Sequence, residues 1–194
     1  MGAFFLRCHM EKAGIPTTYH GYKFRSRLEA TWACFFDQVN WKWKYEPFDY
    51  DGYIPDFVLL PQKQPPVLVE IKPELSFDGL KKHIGKIDSS PWEYEALILG
   101  VGFTENGFGL IGTLDYDETS RVWEPSDISL HTTWPCFTCV GFNARDAYWG
   151  CRMCGAHIKA YCNHDADLES KWAHAQNMVQ WAPKMFGIDT AVSR

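Results

Sequence analysis

Ile54-Pro55-Asp56-Phe57-Val58-Leu59-Leu60 and Val67-Leu68-Val69-Glu70-Ile71-Lys72 are two apolar, strand-like runs, each with a carboxylate at one edge. Alternation along a strand sends Glu70 and Lys72 to the same face, roughly 6–7 Å apart along the backbone. Val67-Leu68-Val69 reads as a strand buried on both faces, where ions are expensive unless paired or bound to a metal. Pro55 suits the first residue of a strand, where its missing N–H does little harm. Asp56, Glu70 and Lys72 are the set needed to grip a hard divalent cation and to place a water beside a phosphate. The plainer alternative is a surface Glu–Lys pair at a strand end, which would contribute little.

Working outward, Phe24 to Val39 reads as a helix, with Leu28, Trp32, Phe35, Phe36 and Val39 at helical spacing. Glu29 shares a stripe with Trp32, Ala33 and Phe36, so it leans toward the sheet. Ser26-x-x-Glu29 is also a good capping box, and helix-start chemistry alone would explain that glutamate. Trp41 to Phe48 alternates as a strand, and Asp49-Tyr50-Asp51-Gly52 is a turn. Tyr53 to Leu60 and Val67 to Lys72 follow as strands. Ser76 to Asp88 reads as a helix with Leu80, Ile84 and Ile87 inward. Ala96 to Val101 and Phe108 to Thr113 are strands, antiparallel across Glu105-Asn106-Gly107. This order predicts an α/β fold, a mixed sheet with helices packed on it. The stretch from Asp115 is polar and acidic, which places a domain boundary near residue 130. Asp167 to Trp181 reads as an amphipathic helix with Leu168, Trp172, Ala175 and Val179 on one face, stopped by Pro183.

The chain has 194 residues, 46% of them hydrophobic and nine of them Trp, which suits one compact domain with a small appendage. The net charge of −5 is uneven: residues 1–48 carry seven Lys/Arg against four Asp/Glu, residues 49–130 six against fifteen, and residues 131–194 six against five. The acidic middle holds the carboxylate set, and a divalent ion there would reverse the local sign. No apolar run approaches bilayer length, and Ala3-Phe4-Phe5-Leu6 is too short for the core of a signal peptide. A cytoplasmic protein with no membrane contact is expected.

Cys136-x-x-Cys139 and Cys151-x-x-Cys154 have the spacing of two zinc knuckles, and four thiolates close a tetrahedral structural site. His157 and His164 are substitute ligands that four well-spaced cysteines make unnecessary. The segment between the pairs has too little core to fold without the ion, so Zn²⁺ binding supplies folding energy. Cys8, Cys34 and Cys162 are left over, a pattern that suits a reducing compartment. Phe137, Phe142, Tyr148 and Trp149 form either the mini-core of this zinc ribbon or a binding face.

Phe24-Arg25-Ser26-Arg27-Leu28-Glu29 on a helix, then an aromatic strand, Pro55-Asp56-Phe57 and Val69-Glu70-Ile71-Lys72, resembles the PD-(D/E)XK nuclease superfamily. Within it, the likeness is to phage endonucleases that resolve four-way DNA junctions and to nuclease subunits of transposition systems. It spans about residues 20–100. The resemblance implies a restriction-endonuclease-like core over residues 1–130, with the ribbon and last helix over 131–194. It implies that Asp56, Glu70 and the Ile71 carbonyl hold Mg²⁺ or Mn²⁺, that Glu29 holds a second ion directly or through water, and that Lys72 orients the attacking water. A divalent-metal-dependent DNA endonuclease, phage or mobile-element in type and working in a bacterial or phage-infected cytoplasm, is the function so implied.

Arg25, Arg27, Lys82 and Lys86 flank the set, and Arg145 and Arg152 lie in the ribbon; all are candidates for a salt-sensitive grip on DNA phosphates. A solvated helix face explains each lysine equally well. The ribbon is equally suited to docking a partner protein or a second copy of this chain. The competing function is a non-catalytic DNA- or protein-binding module on a nuclease fold.

Overall fold

The computed structural model describes residues 14–62, 64–104, 107–115, 120–130, 140–144, 153 and 166–180. A hairpin of β1 (Thr17–Tyr19) and β2 (Tyr22–Phe24) leads into α1 (Arg27–Gln38). A seven-stranded sheet then follows in chain order: β3 (Trp43–Tyr45), β4 (Phe57–Leu59), β5 (Val67–Ile71), β6 (Ala96–Thr104), β7 (Gly107–Leu114), β8 (Arg121–Leu130) and β9 (Val140–Ala144). Neighbouring strands are antiparallel except β5 and β6, which run parallel. A parallel pair needs a crossover, and α2 (Phe77–Lys81) and α3 (Ile84–Asp88) lie on it. α4 (Ala166–Gln180) packs on α1. The α/β class and the mixed sheet with helices on it are as the residue pattern predicts.

Strand alternation divides the interior in two. Phe57, Leu59, Val69, Ile71, Leu97 and Leu99 face α1 and α4, meeting Trp32, Phe35 and Phe36. Val58, Leu68, Ile98 and Leu110 face the crossover, meeting Leu80 and Ile87. β5 is buried along its whole length, on both faces. α4 buries Leu168, Trp172, Ala175 and Val179, the face expected of it. Trp32 ties the layers together: its ring lies 4.5 Å from that of Trp172 and its Nε1–H donates to the Gly100 carbonyl at 2.9 Å. Gly102 sits at φ +142°, and a Cβ there would come within 2.6 Å of the Trp172 indole, so only glycine fits.

Several boundaries differ from expectation, each for a local reason. α1 starts at Arg27 because Ser26 is extended (φ −135°, ψ 157°) and caps the helix by accepting from the Glu29 N–H. Residues 76–88 form two short helices that break at Lys82-His83, rather than one. Residues 121–130, part of the stretch read as polar and acidic, are strand β8, whose Trp123 stands over Gly112. The sheet therefore continues past residue 130: β9 pairs with β8, and the buried α4 and Met153 belong to the same core as α1. Packing thus joins the two sides of the expected domain boundary. Among the described residues, no helix is long and apolar enough to cross a membrane.

Trp32→Ala should destabilise the protein by about 3–5 kcal/mol, the cost of emptying a large aromatic site. Urea denaturation measures it; a loss below about 1 kcal/mol would show that α1 and α4 are not held by this residue.

Candidate active site

Phe57 of β4 pairs with Val69 of β5, so the next position outward sets Asp56 across from Glu70. Both side chains are almost wholly buried, Asp56 at 3% and Glu70 at 2% exposure. Asp56 Oδ2 accepts the Ile71 N–H at 2.7 Å, which locks the carboxylate to the end of β5. Glu70 Oε1 pairs with the Lys72 ammonium at 2.6 Å, as the period of two predicts, and Oε2 accepts the Tyr53 hydroxyl at 3.1 Å. Lys72 is partly exposed and stands at the rim of the site. These groups gather at the carboxyl end of β5, the strand that runs parallel to β6, and α/β sheets place their sites at such ends.

Glu29 arrives from α1, on the other side of the sheet, and is buried. Its Oε1 accepts the Ser26 hydroxyl at 2.7 Å, and its Oε2 accepts the Tyr45 hydroxyl at 2.7 Å and the Arg25 N–H at 3.1 Å. The capping role and the inward lean therefore coexist in one residue. Among the described residues, no three His, Cys, Asp or Glu side chains stand together as a ready metal cage.

Arg25, a candidate for a grip on DNA phosphates, remains more than half exposed while its guanidinium also pairs with two of the acids. Nε meets Glu46 Oε1 at 2.7 Å and Nη2 meets Asp56 Oδ1 at 2.5 Å. Burial works against that charge, but Asp56, with Tyr45, Glu46 and Glu29 behind it, holds the guanidinium protonated beyond its ordinary range. Lys86 lies 5.0 Å over the Tyr53 ring and so borders the site through the phenol that holds Glu70. Arg27 and Lys82 are exposed, on the first turn of α1 and at the end of α2. Cys136, Cys139, Cys151, Cys154, Arg145 and Arg152 lie outside the described residues.

Glu46, Tyr45 and Tyr53 belong to this constellation although no motif marks them. Glu46 has a findable signal: Tyr45 pairs with Phe57, so Glu46 comes level with Asp56, and its N–H donates to the Asp56 carbonyl at 3.0 Å. It adopts φ +43°, an uncommon value for a side chain of this kind, next to the acids it accompanies. The Tyr53 phenol is pushed far up, first by burial and then by Glu70, so it stays a hydrogen-bond donor.

Burial, and then the charge of Glu70, pushes the Asp56 carboxyl up to about 7, against the pull of the Ile71 N–H and of Lys72; Glu29 adds to the push. Among the described residues, Arg25 and Lys72 are the cations that answer Glu29, Glu46, Asp56 and Glu70, so this set, when ionised, carries a surplus of two negative charges. A divalent cation matches that surplus, and carboxylate oxygens are the donors Mg²⁺ and Mn²⁺ prefer.

The raised Asp56 pKa fixes a sign. The folded state holds this proton more tightly than the unfolded chain, so the contribution to stability is full below 3.8 and is lost as pH climbs through about 7. In EDTA, Asp56→Asn should gain on the wild type by at most about 4 kcal/mol between those limits. Chemical denaturation across pH measures the difference; parallel profiles for the two proteins would contradict the shift.

No protein-family model, no curated protein and no solved structure matches this chain.

Proposed function

We propose that this protein is a divalent-metal-dependent DNA endonuclease of the PD-(D/E)XK type. One observation carries the reading: two buried carboxylates, Asp56 and Glu70, are locked side by side at the end of β5 with a lysine two residues on. Structural economy does not explain that set, because burying paired ions contributes little net stability. The order α1, three antiparallel strands, a helical crossover and a parallel strand also supports a restriction-endonuclease-like core.

Asp56, Glu70 and the Ile71 carbonyl would hold a Mg²⁺ or Mn²⁺ ion, whose chemistry there is Lewis acidity toward a phosphate oxygen and an acidified water. Lys72, leaving Glu70, orients the attacking water and meets the charge that grows on the phosphate. The water oxygen bonds to phosphorus and the P–O3′ bond breaks, leaving a 5′-phosphate and a 3′-hydroxyl. The departing O3′ takes a proton from solvent, to which the water yields one. With a cation at Asp56, Arg25 would be free to take a phosphate oxygen, an anion that a guanidinium fork fits well. Glu29 orders Tyr45 and the Arg25 backbone around the site, and a second ion would reach it only through water. Cys136, Cys139, Cys151 and Cys154 would hold a structural Zn²⁺ in a ribbon that positions substrate.

The second reading, a non-catalytic binding module, draws on a different observation: every carboxylate oxygen of Asp56 and Glu70 already has a protein donor. Metal binding separates the two, since a binder needs no Mn²⁺ at these acids.

Plasmid DNA incubated with Mg²⁺ or Mn²⁺ should be nicked, with no product in EDTA. Lys72→Ala should lower the rate by about 10²- to 10³-fold, and undiminished nicking by that variant would remove the assignment. Calorimetry should show Mn²⁺ binding that tightens several-fold in Arg25→Gln, because a competing cation has gone. Unchanged or weaker Mn²⁺ affinity would contradict the place given to Arg25.

A further inference from the structure

Among the described residues, half of the large hydrophobic side chains that stand exposed gather at one place. Tyr22, Phe48, Leu60 and Tyr94 line a single groove of about 600 Å³ at the β3 edge of the sheet. Tyr45 and Trp92 complete its walls. Contiguous exposed apolar surface of this kind marks a binding site rather than ordinary surface.

The composition of the groove narrows its occupant. Its side chains are mostly flat rings and prolines, and it contains no carboxylate, although residues 49–130 are the acidic part of the chain. Lys44 is its one charged group and forms no ion pair with the described residues. The rings are held in place. Phe48 and Tyr94 flank Trp92 at 6.0 and 5.5 Å, Phe48 also stacks on Tyr50 at 5.6 Å, and the Trp92 Nε1–H is tied to the Glu95 carbonyl. Fixed rings beside a lysine that has no ion pair among the described residues suit a flat aromatic ligand that carries an anion a few ångströms away. An unpaired nucleobase with its phosphate is such a ligand, and base–ring stacking tolerates any sequence. An aliphatic protein face would leave the lysine unanswered.

The groove adjoins the acids. Tyr45 lines it while its hydroxyl holds Glu29, and Glu46, the next residue, holds Arg25. We infer that this groove binds unpaired bases of single-stranded DNA next to the carboxylate site, so that the preferred substrate carries a single-stranded segment beside the scissile bond. The substrate preference rests on the nuclease reading; the binding does not.

Metal-free protein titrated with fluorescent oligothymidylate, with an abasic oligonucleotide of equal length and charge, and with blunt duplex tests the groove without any cleavage. Oligothymidylate should bind about tenfold more tightly than the abasic strand or the duplex. Phe48→Ala and Tyr94→Ala should each erase most of that advantage while leaving abasic binding and the unfolding midpoint unchanged. Lys44→Ala should weaken both single strands alike. Equal affinity for oligothymidylate and abasic strand, or ring variants that bind as the wild type does, would overturn the proposal and leave the groove as a protein-docking face. Base-dependent binding by a protein that cuts no DNA would sink the nuclease reading and keep the groove; cutting without base preference would do the reverse.

Discussion

Asp56 and Glu70 are nearly inaccessible to water and sit across from each other where β4 meets β5. Two like charges this close in a poorly solvated place raise each other's energy, and Asp56 responds by holding its proton up to about neutral pH. The surroundings answer the same strain. The Ile71 N–H, the Lys72 ammonium, the Tyr53 hydroxyl and the Arg25 guanidinium each supply a donor or a positive charge to one carboxylate oxygen. A fold that only needed stability would place apolar residues here, as it does along the rest of β5.

The architecture makes the pairing unavoidable. β5 is packed on both faces, so its register against β4 and β6 cannot slip without moving buried side chains to the wrong core. The parallel step to β6 forces the chain away at Lys72 into the crossover, which opens space beyond the strand end. α1 is fixed by Trp32, Phe35 and Phe36, so its capped first turn holds Ser26 and Glu29 against Tyr45 and carries Arg25 to Asp56. Glu29 and Glu70 lie within α1 and β5, and Arg25, Glu46, Asp56 and Lys72 each adjoin the end of a strand, a placement that favours a site whose geometry survives the arrival of a cation.

Much of this was legible in the residues. The buried stripe of α1, the inward face of α4, the two-sided burial of β5 and the Glu70–Lys72 pairing all follow from periods of 3.6 and 2. β8 was not legible: Glu124 and Pro125 interrupt its apolar pattern, and its place is fixed by long-range partners such as Gly112 beneath Trp123 and Asp88 beside Arg121. The break at Lys82-His83 was hidden because the inward positions Leu80 and Ile87 keep a spacing that one continuous helix would also satisfy. The ion pairs of Arg25 were not legible for a different reason. Sequence shows a basic residue beside a helix start, but only three-dimensional packing brings three acids, Asp56, Glu46 and Glu29, within its reach. Tyr45 and Tyr53 carry no motif at all; they matter through hydroxyls aimed at Glu29 and Glu70.

The central claim is that Asp56 and Glu70 form one cation site. Crystals soaked in Mn²⁺ and measured at its absorption edge test it most directly. The account predicts an anomalous peak bounded by an oxygen of Asp56 and one of Glu70, with the Arg25 guanidinium moved off Asp56. Strong Mn²⁺ peaks elsewhere, with Arg25 still clasping Asp56 and Lys72 still on Glu70, would contradict it.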